Sequence, residues 1–377
     1  MKTDAGECRS RSLPESTKRE IVQSGASTPG RAESSNLKGE SHEDQRETQT
    51  QKTKRPLHSC PKRVTICMSA FTSKMVSVFP VEKEYARCVT ALNRTGILTL
   101  LPKSESIGVV GIDGKEYPIP TQEQVVELFD HNKELVDRKV PQGFDRLELT
   151  PMAMPTPLLI DRMKAAILKH AAEGKICQTR RAASDPFIPV RVNAEKQVWI
   201  WDTLRQALDT DELVYFPQEY STNHRGQTKL EVVNNGRICA VPGWSVGLVE
   251  SLPIMPQQGE GKTLGGRRQL EIGFSPNEYF QTLQLEAYQG ETGKTLEDFI
   301  TSFLTHLETT NEVSNDVDDN NALWCLAEYL RVSYGDLVPT GRWHRSVGRA
   351  RLDMHRSNNK LCTKNWGGSS TVRLLRK

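Results

Sequence analysis

The chain has 377 residues, 36% hydrophobic and 6% aromatic, with 50 Lys+Arg against 47 Asp+Glu. That length gives room for two domains, or for one domain with long tails, and the composition excludes collagen-like, mucin-like and coiled-coil chains. The net charge of +3 hides an uneven layout: residues 1–63 carry 13 basic and 9 acidic side chains, and residues 342–377 carry 10 basic ones against Asp353 alone, so the stretch between is acidic, with 27 basic and 37 acidic.

Residues 1–67 are rich in Ser, Thr, Glu, Gln, Lys and Arg and poor in large apolar side chains. Such a segment buries too little surface to offset its ordering entropy, and it is predicted to be a disordered basic and polar tail. Its polar start has no secretory character, and no apolar run in the chain approaches a membrane span. The eight cysteines lie mostly dozens of residues apart with no Cys-x-x-Cys. They read as reduced thiols of a cytoplasmic protein.

Residues 68–150 are predicted to form a small α/β segment. The apolar stretches 97–101 and 107–112 read as strands, and Asp113-Gly114 as a hairpin turn. Thr121 and Gln124 form a capping box for a helix with Val125, Leu128, Phe129, Leu135 and Val136 on one face. After a Pro-rich connector over 150–157, a second helix starts with Thr156 as N-cap and Pro157 at its first position. Ile160, Met163, Ile167 and Ala171 form its stripe, and Gly174 stops it.

Residues 151–274 are predicted to be a β-rich domain. Strands over 187–192 and 197–201 flank a turn at Asn193, and strands over 229–233 and 237–241 flank Asn234-Asn235-Gly236. Further strands are expected over 246–252 and 269–273. Residues 275–341 are predicted to be a three-helix unit. Ser275 and Glu278 cap the first helix, and Thr295 and Asp298 cap the second. Leu296, Phe299, Ile300, Phe303, Leu304 and Leu307 give the second a clean apolar stripe, and Leu323, Ala327, Leu330 and Tyr334 define the third. Residues 342–377 remain as a basic tail. The fold class is α+β, a mixed or antiparallel β-rich middle with flanking helices and a C-terminal three-helix unit.

Two Gly-Lys-Thr tripeptides, at Gly261 and Gly293, lack the earlier glycine and the strand-to-helix setting of a phosphate loop. The loop 259–268 still interleaves glycines with Lys262, Thr263, Arg267 and Arg268, which suits an anion clamp. In that reading the ligand is a phosphorylated small molecule, and His224 is an acid/base group. The acidic loop from Asp316 matches the early ligand positions of a calcium loop, but Ala327 stands where a bidentate Glu is required. No helical His pair, serine elbow or kinase signature occurs. His170 and His306 read as boundary histidines. No catalytic residue, metal ligand or cofactor is assigned.

The basic tail is the least ordinary feature. Arg342, Trp343, Arg345, Arg349, Arg351, Arg356, Lys360, Lys364, Trp366, Arg373 and Arg376 combine guanidinium forks that match phosphates with indoles that stack on bases. The reading taken is a non-enzymatic protein that engages nucleic acid with little sequence specificity. An acidic protein partner, or docking on the chain's own acidic segment 296–336, fits the same charge. A third possibility is an interaction scaffold built on the helical unit.

Overall fold

The computed structural model describes residues 79–376, apart from 253, 317, 319–320, 334 and 359–362. The expected tail 1–67 and Lys360 lie outside the described residues.

Helix α1 (Val81–Arg94) leads into an antiparallel meander of β1 (Thr99–Leu100), β2 (Ile107–Val110) and β3 (Glu116–Pro118). Its second turn is the expected one: Gly114 has φ +72°, and the Asp113 carboxylate accepts from Lys115 N–H and Tyr117 O–H. The Thr121–Gln124 capping box starts α2 (Gln122–His131) and buries Val125, Leu128 and Phe129. The single helix expected through Val136 breaks at Asn132. Its side-chain amide donates to the carbonyls of Leu128 and Leu375, so the chain restarts as α3 (Lys133–Lys139).

Strand β4 (Phe144–Thr150) precedes α4 (Thr156–Ala172). Thr156 is helical rather than the cap, because its hydroxyl and N–H are drawn inward to the Asp209 carboxylate. The middle of the chain is less β-rich than its residues suggest. It holds β5 (Val198–Ile200), α5 (Asp202–Ala207), β6 (Leu213–Tyr215), α6 (Lys229–Asn234), β7 (Ser245–Glu250) and the short ribbon β8 (Thr263–Leu264) and β9 (Arg267–Arg268). The hairpin expected at Asn234-Asn235-Gly236 is a helix end instead. Thr228 and Glu231 form a full capping box, and a helix follows it.

Helix α7 (Pro276–Leu283) and β10 (Glu291–Gly293) lead to α8 (Leu296–Thr310). The third helix of the expected three-helix unit does not form. Its residues become β11 (Ala322–Trp324) and β12 (Glu328–Val332). Nor are residues 342–376 a tail. They run through β13 (Gly335–His344), β14 (Arg349–Arg356), β15 (Trp366–Gly368) and β16 (Ser370–Arg373). The cause is pairing. Strand β13 zips onto β14 over eight residue pairs and onto β11 and β12 at its other edge, and β16 inserts between β10 and β7.

Two sheets result. One is antiparallel in the order β10-β16-β7-β4. The other is mixed and seven-stranded, with β15, β11, β13, β12 and β6 in a path and β14 joining β13 to β5. Helix α8 touches β4 of the first sheet and β13 of the second. Its whole apolar stripe is buried, and Gly341 of β13 lets it approach, since a Cβ there would overlap the Phe299 ring. Among the described residues no helix is long and apolar enough to cross a membrane.

The first turn of α8 is charged and fully buried. Asp298 accepts from its own cap Thr295 N–H at 2.8 Å, from Thr150 Oγ1 at 2.7 Å and from the Arg373 guanidinium. Arg373 also donates to Thr292 and Ser245. Glu297 accepts from Thr156 and Tyr215 hydroxyls and lies 3.0 Å from Lys229 Nζ, which also pairs with Asp209 at 2.6 Å. Burial would raise both carboxyls of α8, but the Lys229 and Arg373 cations hold them below their usual range. Glu328 beside them goes the other way. Burial and the Glu297 charge push it well up.

Removing one member of a buried ion pair leaves the other uncompensated, so Arg373→Met is expected to destabilise the fold by about 3–5 kcal/mol in urea unfolding. The double variant Arg373→Met/Asp298→Asn should lose less than Arg373→Met alone, and additive losses would refute the pairing.

Candidate small-molecule site

The residues singled out for nucleic acid are mostly built into the sheets. Arg342 is buried, pairs with Asp353 at 3.1 Å and lies 4.6 Å above the Trp366 ring. Arg345 pairs with Asp316 and Arg351 with Asp353, while Arg373 is the clamp on Asp298. Arg349 is half-buried, and Arg356, Lys364 and Arg376 are exposed, at the end of β14, before β15 and after β16. Trp343 is 0% exposed and Trp366 5%, so neither indole face is open to a base. Strands β13 to β16 thus meet the acidic segment from within the fold, at Asp298 and Asp316.

The Gly-rich loop does wrap an anion, and that anion is its own. The Glu271 carboxylate accepts from Gly259 N–H at 3.0 Å, from Gly261 N–H at 2.7 Å and from Arg268 at 2.6 Å. Arg267 is fully buried against Glu291 and Glu250, between the rings of Phe144 and Tyr288. Lys262 and Thr263 are exposed on the ribbon. His224 turns Nδ1 to accept from Gly226 N–H, bracing its own loop.

A different place gathers uncommitted polar groups. Helix α8 carries Ser302, Thr305 and His306 on one face, at i, i+3 and i+4. Strand β4 turns Arg146, Glu148 and Thr150 toward that helix. A bulge at Asp145 puts Phe144 on the opposite face from Arg146. Arg146, Glu148, Ser302, Thr305 and His306, with Lys294 and with Arg87 from α1, line a cleft of about 180 Å³.

The chemistry of the cleft is unbalanced. Glu148 Oε1, Thr301 Oγ1, His306 Nε2 and Ser314 Oγ are buried without a hydrogen-bond partner, and all four residues line it. Buried polar atoms are usually paired, and although unpaired ones also occur elsewhere in the fold, at His170, Trp324 and Glu328 among others, four of them belong to residues around this one space. Arg146 makes no hydrogen bond or ion pair among the described residues. Burial and the neighbouring Arg87 charge push its guanidinium below its ordinary pKa. Arg87 itself is committed to Glu84 at 2.9 Å and to the Leu147 carbonyl. Burial, then Arg146, push His306 down to about 4, so its ring is neutral at neutral pH. Among the described residues no cluster of His, Cys, Asp or Glu has the make-up of a metal site.

Apart from Lys294, in the second Gly-Lys-Thr tripeptide, and His306, read as a boundary histidine, none of these cleft residues is weighed in the sequence. The signals were present as separate patterns: charged residues alternating with apolar ones in β4, and three polar side chains on one turn of an apolar helix.

Because the folded pKa of His306 lies below the unfolded value of about 6.5, the unfolded state binds the proton first, and stability falls as pH drops from about 6.5 toward 4. His355, also held near 4 by burial, adds to the same slope. A His306→Leu variant should therefore lose less of its melting temperature than the wild type between pH 7 and pH 5, and an unchanged slope would contradict the buried neutral ring. Comparison with known protein families, with curated proteins and with solved structures finds no match to this chain.

Proposed function

We propose that this protein binds a small anionic molecule, bearing a carboxylate or a phosphate, in the cleft between β4 and α8. The observation that carries the reading is the Arg146 guanidinium, which lines the cleft beside the Arg87 cation and, among the described residues, makes no ion pair within 4 Å, the carboxylates of Glu148, Glu84 and Asp145 acting on it only at longer range. A half-buried cation facing a second one is costly unless an anion joins it. The orphaned atoms of Thr301, Ser314 and His306 supply polar contacts for the rest of such a ligand.

Size narrows the class. A cavity of about 150 Å³ holds a molecule the size of benzene, and drug-sized ligands need roughly 300 Å³ or more. The cleft at about 180 Å³ suits a small acid or phosphorylated acid and excludes a whole nucleotide. The expectation of a phosphorylated small-molecule ligand thus moves from the loop 259–268 to the cleft. The nucleic-acid reading has less support, because Trp343 and Trp366 are buried and the strongest cations of 342–376 are paired.

The test is a thermal-shift and calorimetry screen with inorganic phosphate, small mono- and dicarboxylic acids and three-carbon phosphorylated acids. A ligand at about 100 times its Kd stabilises the fold by about 2.7 kcal/mol, a shift of several degrees. Arg146→Met should abolish that shift, and Lys262→Ala/Arg268→Ala should keep it. A wild type that none of these acids stabilises, or an Arg146→Met variant that responds like the wild type, overturns the reading.

A further inference from the structure

Within this cleft one hydroxyl is wired differently from the rest. Ser302 Oγ accepts a hydrogen bond from Lys294 Nζ at 2.7 Å and donates its own proton to Glu148 Oε2. Lys294 Nζ also lies 3.5 Å from Glu148 Oε1, so the ammonium contacts the hydroxyl and orients the carboxylate that accepts from it. Lys294 is 6% and Glu148 7% exposed, while Ser302 is only half-buried and faces the cleft. The three side chains come from three places in the chain: β4, the residue before the α8 cap, and the second turn of α8. Most serines of a fold need no such company. A weak nucleophile becomes a useful one when a base takes its proton and a third group fixes the base.

We propose that Ser302 is the nucleophile of an acyl-transfer site, with Glu148 as its general base and Lys294 as the cation beside the reacting oxygen, acting on a small ester that carries an anionic group. The proposal rests on the anion-binding reading above, since Arg146 is what holds the anionic end of the substrate. In the first step Ser302 Oγ bonds to the ester carbonyl carbon and its proton passes to Glu148. The negative charge that develops on the carbonyl oxygen forms close to the Lys294 ammonium, which stabilises it. The intermediate collapses by breaking the bond to the alkoxy oxygen, which leaves as the alcohol with the proton from Glu148. In the second step water attacks the acyl carbon and gives a proton to Glu148. The bond to Oγ breaks, Ser302 recovers its proton, and the acid leaves. Ester and water become acid and alcohol, with no oxidant and no other reactant.

The geometry accounts for two further features. Lys294 would be an unexplained cost if its only role were structural, because a buried ammonium next to one carboxylate seldom gains net stability. His306 lies one turn after Ser302 on the same helix and lines the same cleft, its Nε2 buried and without a partner among the described residues.

The experiment treats the full chain with diisopropyl fluorophosphate and maps the adduct by peptide mass spectrometry. The expected result is a single phosphorylated residue, Ser302, modified far faster than any exposed serine. Glu148→Gln should slow that modification by about 100-fold, the usual scale for loss of a general base. Ser302→Cys, read with iodoacetamide, should give a thiol alkylated faster than Cys88, Cys177, Cys239 and Cys325. A folded wild type whose Ser302 stays unmodified, or a Glu148→Gln protein labelled as fast as the wild type, overturns the proposal. Failure here is separable from failure of the anion site. A protein stabilised by a small acid through Arg146 but inert at Ser302 is a binder and not an esterase.

Discussion

The fold depends on burying a helix that begins with two carboxylates. The apolar stripe of α8 drives it between β4 and β13, and that placement carries Glu297 and Asp298 out of water with it. Two buried anions on one turn are unfavourable unless cations come to them. Lys229 arrives from α6 and Arg373 from the last strand, and each brings hydroxyl partners: Thr156 and Tyr215 to Glu297, Thr150 to Asp298. The helix N-terminus adds its own N–H groups and dipole. Elements distant in sequence are thereby tied to one turn of helix. A buried ion pair is a weak source of net stability, but it penalises every arrangement in which one partner is missing.

The same helix then builds the cleft with its other face. At its start Asp298 and Glu297 are paired with cations and hydroxyls, whereas further on Ser302, Thr305 and His306 face a cleft that Arg146 lines without a close ion pair among the described residues. The contrast is informative because both environments are buried and both are polar. A chain that satisfies Asp298 with three donors has the means to satisfy Thr301 and Ser314 as well. Unpaired atoms occur in the core as well, at Trp324 and Glu328, and what distinguishes this place is that Glu148, Thr301, His306 and Ser314 border one cavity.

Local signals were read well from the residues. The capping boxes at Thr121, Ser275 and Thr295 all form, because they depend on four consecutive residues and little else. Runs without a clear period misled. In 322–330 nearly every side chain is apolar, so Leu323, Ala327 and Leu330 match a helical spacing by density alone. Their strand state is set by β13, and the partner's register is invisible in the run itself. At 228–236 two local signals compete, a Thr-x-x-Glu box and an Asn-Asn-Gly turn. The box prevails because Lys229 on that helix reaches Glu297 and Asp209. The cleft was hidden for a related reason. The alternation in β4 and the polar turn of α8 are each legible, but that they face one another is a fact of packing across roughly 150 residues of chain.

Charge along a sequence is likewise a different quantity from charge on a surface. The cationic C-terminal segment and the acidic stretch before it look like opposed patches when plotted by position. In the fold they supply the two halves of pairs, Arg373 with Asp298 and Arg345 with Asp316, while Arg342 pairs with Asp353 inside the cationic segment itself. Glu271 shows the converse, a carboxylate drawn into a glycine-rich loop that seemed made for an outside anion. Once such pairs are set aside, Arg146 in β4 is, among the described residues, the cation that lines the cleft without a close ion pair. Arg146 sits among ordinary strand residues, and its significance follows from the cleft it lines and from the lack of a close ion pair there.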